Sequence, residues 1–244
     1  MNRFVSLVVS LAFLSCAHVP NKPSASPGIK CNDFPDKQAT ADYEAVGQII
    51  VDGTFACTAT LIRSNVIVTA AHCVRDWDMF RKSHAVFYAG GKVFHVTDVV
   101  ADDPDQSAYD IAFAKLYEKS TIKPIPLAGY ADLARFSGKY TFVGYGCTSA
   151  CYSEEDNDAV FTGFKGKHKV TVDVEDMTML AGVTTKMKLC PGDSGGPVIE
   201  KNTGKIVGIA SHYYSHNGKV VLSTFAVTAP YKLPSERLFP STTE

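Results

Sequence analysis

Short runs of apolar and β-branched residues, separated by polar turns, make up most of the chain from Tyr43 onward. The run "YEAVGQIIV" is separated from "TFACTATLI" by Asp52-Gly53, and "HAVFYA" is separated from "KVFHVTDVV" by Gly90-Gly91. Such dipeptides between two strand patterns are typical of β-hairpins. No segment keeps a helical period, so the pattern predicts an all-β protein built from antiparallel strands.

The strand patterns fall into two series, which favours two β-barrels of similar size over one sandwich. The second series contains "KYTFVGYG", "HKVTVDVE", "KIVGIASH" and "VVLSTFAV". The stretch from Lys123 to Gly138 between the series contains prolines and fits a crossing segment. We therefore expect barrels at about 43–125 and 136–232, inside one domain over residues 43–244.

The N-terminal segment has the pattern of an export signal. Arg3 precedes an apolar stretch, Phe4 to Leu14, that is too short to anchor the chain across a bilayer. The signal peptide is predicted over residues 1–16, because "FLSC" resembles a lipoprotein box that ends at Cys16. Simple cleavage at a small-x-small site beside Cys16 is the alternative, and both routes stay open.

A linker or pro-segment is predicted after the signal, over residues 17–42. Its first part, "VPNKPSASPG", is rich in Pro and Ser and has no apolar period, which predicts disorder. The chain has seven cysteines, and without Cys16 six remain, an even number suited to disulfides in an oxidising compartment. We expect an exported protein, either an outer-membrane lipoprotein or a secreted one.

Charge and composition exclude several kinds of partner. The formal net charge is −1, so nothing favours nucleic acid or an anionic membrane surface. We expect a monomer whose membrane contact, if any, is a lipid on Cys16. No group of residues has the spacing of metal ligands, and the prediction is no metal and no cofactor.

Three polar residues could act together as base, orienting acid and nucleophile. His72 follows an apolar strand in "VTAAHCV", Asp110 opens another in "SAYDIAFAKL", and Ser194 lies among glycines in "CPGDSGGP". Each of them alone is more often a structural residue. Taken together they supply the three parts of a nucleophilic triad.

These motifs resemble those of the chymotrypsin/trypsin-like serine peptidases, of a bacterial secreted type. The resemblance rests on "TAAHC", "DIAFAKL" and "GDSGGP" in this order, and it extends over about residues 46–227. It implies two six-stranded antiparallel β-barrels with the active site in the cleft between them. It also implies a serine endopeptidase that forms an acyl-enzyme with protein or peptide substrates. The alternative is a catalytically inactive homologue that binds peptides or proteins in the same cleft.

The resemblance further implies a role for each residue of the site. His72 would take the proton of Ser194, Asp110 would orient His72, and the N–H groups of Gly192 and Ser194 would form the oxyanion hole. Family members usually have a disulfide around the histidine loop, which here would join Cys57 to Cys73. Three pairings stay open for the remaining cysteines, Cys31, Cys147, Cys151 and Cys190.

The residue six positions before the nucleophile lies at the floor of the primary pocket in trypsin-like relatives, and here it is Lys188. A lysine there disfavours cleavage after Arg or Lys. If Lys188 points into the pocket, the pocket should accept Glu or Asp, with His212 or His216 as helpers. If its ammonium extends to solvent or to the aspartate at 193, the pocket is apolar or shallow. The predicted pocket residues are Lys188, Ser211, His212 and Tyr213, the last narrowing the pocket.

Activation is where the sequence departs from the resemblance. Trypsin-like zymogens are cut before Ile-Val-Gly-Gly, and the new amine pairs with the aspartate that precedes the nucleophile, here Asp193. This sequence has no such start, and "IVDG", Ile50 to Gly53, fits a hairpin instead. The sequence therefore leaves the partner of Asp193 unidentified.

Overall fold

Antiparallel strands account for most of the structure, which is a computed structural model. It describes residues 29–33, 37–74, 84–101, 110–135, 137–147, 149–153, 159–162, 166–172, 174–178, 182–185, 189–216 and 219–227. The first strands are β1 (Ile29–Asp33), β2 (Gln38–Ala39), β3 (Val46–Val51), β4 (Thr54–Arg63), β5 (Val66–Thr69), β6 (Ala85–Ala89), β7 (Lys92–Ala101) and β8 (Ala112–Leu116). They are followed by β9 (Tyr140–Gly144), β10 (Ser149–Ser153), β11 (Ala159–Thr162), β12 (His168–Val172), β13 (Val174–Thr178), β14 (Gly182–Thr185), β15 (Pro197–Glu200), β16 (Ile206–His216) and β17 (Lys219–Val227).

The first six-stranded barrel is confirmed. It closes in the order β3-β4-β5-β8-β7-β6, and all of its pairings are antiparallel. The two predicted hairpins are present, since β3 and β4 flank Asp52-Gly53 while β6 and β7 flank Gly90-Gly91. Its interior is filled by one cluster of buried apolar side chains, which includes Ile49, Leu61, Ile67, Phe87, Phe94 and Leu116.

The second half of the chain is consistent with the predicted second barrel, and its main sheet has more than six strands. Eight strands form one sheet in the order β13-β14-β17-β16-β15-β9-β12-β2. Five strands form its centre, β2 pairs with β12 at one edge, and the β13–β14 hairpin extends the other edge beyond β17. Strands β1, β10 and β11 form a separate three-stranded sheet in the order β1-β10-β11, which among the described residues is not hydrogen-bonded to the barrel or to the eight-stranded sheet.

An apolar layer joins the barrel to the eight-stranded sheet. From the barrel it takes Val66, Val68 and Phe113, and from the sheet Val143 and Ile209. Strand β5 is buried on both faces, because Ile67 points into the barrel while its neighbours point into this layer. The end of β5 is therefore fixed on both sides, and the turn that follows it carries His72.

Two short 3₁₀ helices occur among the described residues, at Ala71–Val74 and Tyr130–Arg135. The second lies in the predicted crossing segment, where Leu127 also forms an isolated bridge to Ile206. In the part of the chain that the structure describes, no helix is long and apolar enough to span a membrane.

Part of the predicted linker or pro-segment, residues 17–42, forms strands. Strands β1 and β2 both lie inside this range, and Lys37 between them is almost wholly buried. The sequence pattern does not indicate these two strands, because each is short and pairs with a segment more than a hundred residues away. The predicted signal peptide and Cys16 lie outside the described residues.

Candidate active site

The position of His72 is fixed by a disulfide beside it and by the packing of β5 before it. His72 lies in the 3₁₀ turn Ala71–Val74, whose Cys73 is disulfide-bonded to Cys57 of β4. Closing a loop of this size stabilises a fold by about 3 kcal/mol in the chain-entropy model. The imidazole keeps access to solvent, with 26% of its side chain exposed.

Asp110 binds His72 through two separate hydrogen bonds. Its Oδ1 accepts from the backbone N–H of His72 at 2.8 Å, and its Oδ2 lies 2.7 Å from Nδ1 of the imidazole. Burial raises the pKa of Asp110, but the hydrogen bonds from His72 and Ser211 lower it by more. The pKa of Asp110 therefore lies below its ordinary value. An ionised carboxylate only accepts hydrogen bonds, so Nδ1 carries the proton and a neutral ring has Nε2 free of one.

Ser211 is part of this hydrogen-bond network. Its hydroxyl donates to Oδ2 of Asp110 at 2.7 Å and also lies 2.5 Å from Nδ1 of His212. A hydroxyl has one proton, so His212 must donate to Ser211 in this arrangement. The rings of His212 and His72 are 5.4 Å apart between centroids, which brings His212 beside the imidazole. Sequence reasoning had assigned Ser211 to the pocket, and its contact with Asp110 was missed.

The turn that carries Ser194, residues 190–196, is called here the nucleophile loop. Gly192 and Gly195 have φ angles of 94° and 82°, in the region that strongly favours glycine. A Cβ on Gly195 would also collide with the carbonyl oxygen of Thr58. The glycines in "CPGDSGGP" are needed because the loop has left-handed turns and packs closely against β4.

Strand β4 fixes the carbonyl groups of the nucleophile loop. The hydroxyl of Thr58 donates to the carbonyl of Gly192 at 2.7 Å, and its N–H donates to the carbonyl of Ser194 at 2.9 Å. Gly195 donates to the carbonyl of Ala210 at 2.8 Å. Among the described residues, the N–H groups of Gly192 and Ser194 have no such partner.

The described residues show no hydrogen bond between Ser194 and His72. Bonds of this kind are often long in the absence of substrate and shorten when substrate binds. Ser194 is half-buried, whereas Asp110 is wholly buried. The part of the chain that the structure describes thus has the His72–Asp110 hydrogen bonds and the left-handed turns of the nucleophile loop, without a hydrogen bond between His72 and Ser194.

The predicted pocket is only partly visible. Lys188 lies outside the described residues, and for Tyr213 and His216 the structure describes only a backbone position on β16. Ser211 and His212 are described, and both lie in the middle of this strand, where Oγ of Ser211 and Nδ1 of His212 are 2.7 Å and 3.9 Å from Oδ2 of Asp110.

A second disulfide answers part of the pairing question. Cys147 is bonded to Cys190, which attaches the start of the nucleophile loop to the segment after β9. The register of the β1–β10 pair places Cys31 directly opposite Cys151, the pairing that then remains.

Lys37 is a buried residue that sequence reasoning did not connect with Asp193. Its Nζ lies 2.5 Å from Oδ2 of Asp193, and both side chains are almost completely buried. The only signal in the sequence was the need of Asp193 for a cation. No local motif marks Lys37, which is 156 residues away in the chain.

Comparisons with known proteins agree with this geometry. Residues 36–232 match the family model described as Trypsin. A trypsin of Sarcophaga bullata is 26% identical over 230 residues, covering 86% of this chain and 88% of that protein. Trypsin theta of Drosophila melanogaster is 28% identical over 244 residues, covering 88% and 90%.

Solved structures show the same fold. Neuropsin, a serine protease of mouse brain, superposes with a TM-score of 0.64 at 17% identity, covering 83% of this chain and 98% of its own. A mutant of human heparin binding protein gives a TM-score of 0.66 at 18% identity, covering 84% and 96%. Because the family model matches most of this chain, residues 36–232, the chain belongs to the trypsin family of serine proteases.

Proposed function

We propose that this chain is a serine endopeptidase that uses His72, Asp110 and Ser194. The observation that carries the proposal is the pair of hydrogen bonds between His72 and a wholly buried, ionised Asp110. They fix the ring so that Nε2 is its basic nitrogen. The nucleophile loop adds two N–H donors, from Gly192 and Ser194, with no partner among the described residues.

The reaction proceeds in two halves. Oγ of Ser194 attacks the carbonyl carbon of the scissile bond while Nε2 of His72 takes its proton. The N–H groups of Gly192 and Ser194 bind the resulting oxyanion, each contributing on the order of 3 kcal/mol in the transition state. The proton then passes from His72 to the leaving amine, and the acyl-enzyme forms. Water, activated by His72, hydrolyses the acyl-enzyme and restores the serine.

Asp110 has an electrostatic and an orienting part in this cycle. Its charge stabilises the imidazolium that forms at each step, and its two bonds prevent the ring from rotating. The Ser211 hydroxyl, which also donates to Oδ2, keeps the carboxylate ionised and correctly placed. Loss of this charge would leave His72 with the wrong tautomer.

Labelling with a fluorophosphonate tests the proposed function. The reagent should react with the purified protein at one site, and peptide mapping by mass spectrometry should find the adduct on Ser194. The same protein should cleave casein, and labelling should abolish the cleavage. A protein that binds peptides but neither reacts nor cleaves would instead be the inactive homologue.

We also propose that the specificity is not tryptic. The proposal rests on Lys188, six residues before the nucleophile, since a buried ammonium opposing a cationic substrate side chain would cost several kcal/mol. An ammonium inside the pocket selects Glu or Asp, whereas one directed to solvent leaves an apolar or shallow pocket.

A peptide library read by mass spectrometry distinguishes these outcomes. Cleavage after Glu that disappears in Lys188→Met, but persists in the surface variant Lys169→Met, supports the acidic pocket. Lys169 is a suitable control because its exposed ammonium pairs with Asp42 and not with a residue of the nucleophile loop. Efficient cleavage after Arg or Lys would contradict both forms of the proposal.

Export of the protein is proposed on sequence features together with the disulfides. Two disulfides fit an oxidising compartment. The apolar stretch before Cys16 supports a signal peptide, and "FLSC" supports lipidation of Cys16 and the bacterial type of the family. The two trypsins reported above are insect proteins, so the bacterial type rests on these residues alone.

A further inference from the structure

The carboxylate of Asp193, next to the nucleophile, is completely buried. Its Oδ1 accepts a hydrogen bond from the N–H of Gly146 at 2.9 Å, and its Oδ2 accepts one from the N–H of Cys190 at 3.2 Å. Nε2 of His168 lies 3.1 Å from Oδ1. Burying a carboxylate is costly unless a cation compensates it, so the position of Asp193 depends on a cation beside it.

Lys37 supplies that cation from inside the chain. Its ammonium contacts Oδ2 of Asp193 at 2.5 Å, donates to the carbonyl of Cys147 at 2.7 Å, and lies 3.2 Å from Sγ of Cys190. Only 2% of the Lys37 side chain is exposed. The ammonium thus connects the segment before β2 to both ends of the Cys147–Cys190 disulfide.

The position of Asp193 decides the shape of the nucleophile loop. Its backbone N–H donates to the carbonyl of Cys190, and its carbonyl accepts from the N–H of Gly196, both at 2.9 Å. Gly192 and Ser194, the two oxyanion donors of the proposed mechanism, are its chain neighbours. If the carboxylate left its recess for solvent, the backbone on both sides would rotate with it, and the two N–H groups would diverge.

We propose that Lys37 is a positioning residue that holds Asp193, and with it the oxyanion donors, in the active arrangement. The protein then needs no newly cut N-terminal amine to become active. This inference rests on the proposed function.

The chain before Lys37 is part of the same structure. Strand β1 pairs with β10 over five residues, with Cys31 opposite Cys151. An active molecule can therefore retain the chain that precedes Lys37. This arrangement differs from one in which a cut just before the barrel releases a new terminus to reach Asp193.

A double-mutant cycle tests the pair. Lys37→Met leaves the buried carboxylate uncompensated, and we expect kcat to fall by about 10³-fold, the size of effect seen when an oxyanion donor is lost. The rate of fluorophosphonate labelling should fall in parallel, while KM for a peptide ester changes little. Asp193→Asn should cost a similar factor. The double variant should lose about as much as either single variant, because both remove one interaction.

Lys205→Met is the matched control. Lys205 pairs with Asp132 at 2.6 Å, and neither residue belongs to the proposed machinery, so its loss should leave kcat at the wild-type level. Far-ultraviolet circular dichroism and thermal unfolding check that each variant folds. If Lys37→Met alone fails to fold, kcat is measured on the double variant, which has no unpaired buried charge at this pair. Its kcat should show the same loss.

N-terminal sequencing of the labelled wild-type protein provides the independent measurement. We expect labelled molecules that still contain residues before Lys37. Labelled molecules that all begin after residue 37 would overturn the inference, as would a Lys37→Met variant that equals Lys205→Met. A wild-type protein that neither reacts nor cleaves would instead overturn the proposed function.

Discussion

Replacing Ser194 by Ala should lower kcat by about 10⁶-fold, the effect that removal of a triad nucleophile has in other serine proteases. Without Oγ no acyl-enzyme can form, and His72 has no proton to take. The N–H donors of Gly192 and Ser194 remain, so peptide binding and KM should change little. Initial rates on a peptide ester, with fluorophosphonate labelling of the same samples, measure the loss.

Ser64→Ala is the control for this substitution. Ser64 lies exposed in the turn between β4 and β5, so the change removes a hydroxyl without touching the site. It should keep full activity and full labelling. If Ser194→Ala kept more than about one per cent of the wild-type kcat, Ser194 would not be the nucleophile.

The members of the proposed triad could be selected from the sequence because each lies in a local pattern. His72 follows a strand buried on both faces, and Asp110 directly precedes the buried strand β8. The turn at Asp52-Gly53 was also predictable, because the residue types that such turns need are adjacent in the chain. In each case the physical constraint acts over fewer than ten residues, so it leaves a signal in the sequence.

The network around Asp193 could not be predicted, because its members come from distant parts of the chain. Lys37 and Asp193 are 156 residues apart, and Cys147 and Cys190 are 43 apart. A lysine in a polar segment is usually solvated, so only the fold shows that the Lys37 ammonium is buried. The contact of Ser211 with Asp110 was missed for the same reason.

The edges of the second sheet show a related limit. Strand β2 has two residues and exists only because β12 offers an edge to pair with. Strand β14 has four residues and pairs on both sides, with β13 and β17. Such strands depend on their partners more than on their own β-propensity, so a pattern of apolar alternation does not reveal them.

His72→Ala should lower kcat about as much as loss of the nucleophile, by about 10⁶-fold, because base and nucleophile act as one unit. The double variant with Ser194→Ala should therefore be no slower than either single variant. The reason is chemical: without Nε2 the proton of Ser194 has no acceptor, so the intact hydroxyl attacks no faster than an absent one.

His95→Ala is the matched control for His72→Ala. On the barrel surface Nδ1 of His95 lies 2.6 Å from Oε1 of Glu118, so this variant also breaks a histidine–carboxylate pair, but an exposed one. We expect wild-type kcat from His95→Ala and wild-type thermal unfolding from both variants, because the Cys57–Cys73 disulfide still holds the His72 turn. If His72→Ala lost less than about 100-fold, or if its effect added to that of Ser194→Ala, then His72 would not act as the base of Ser194.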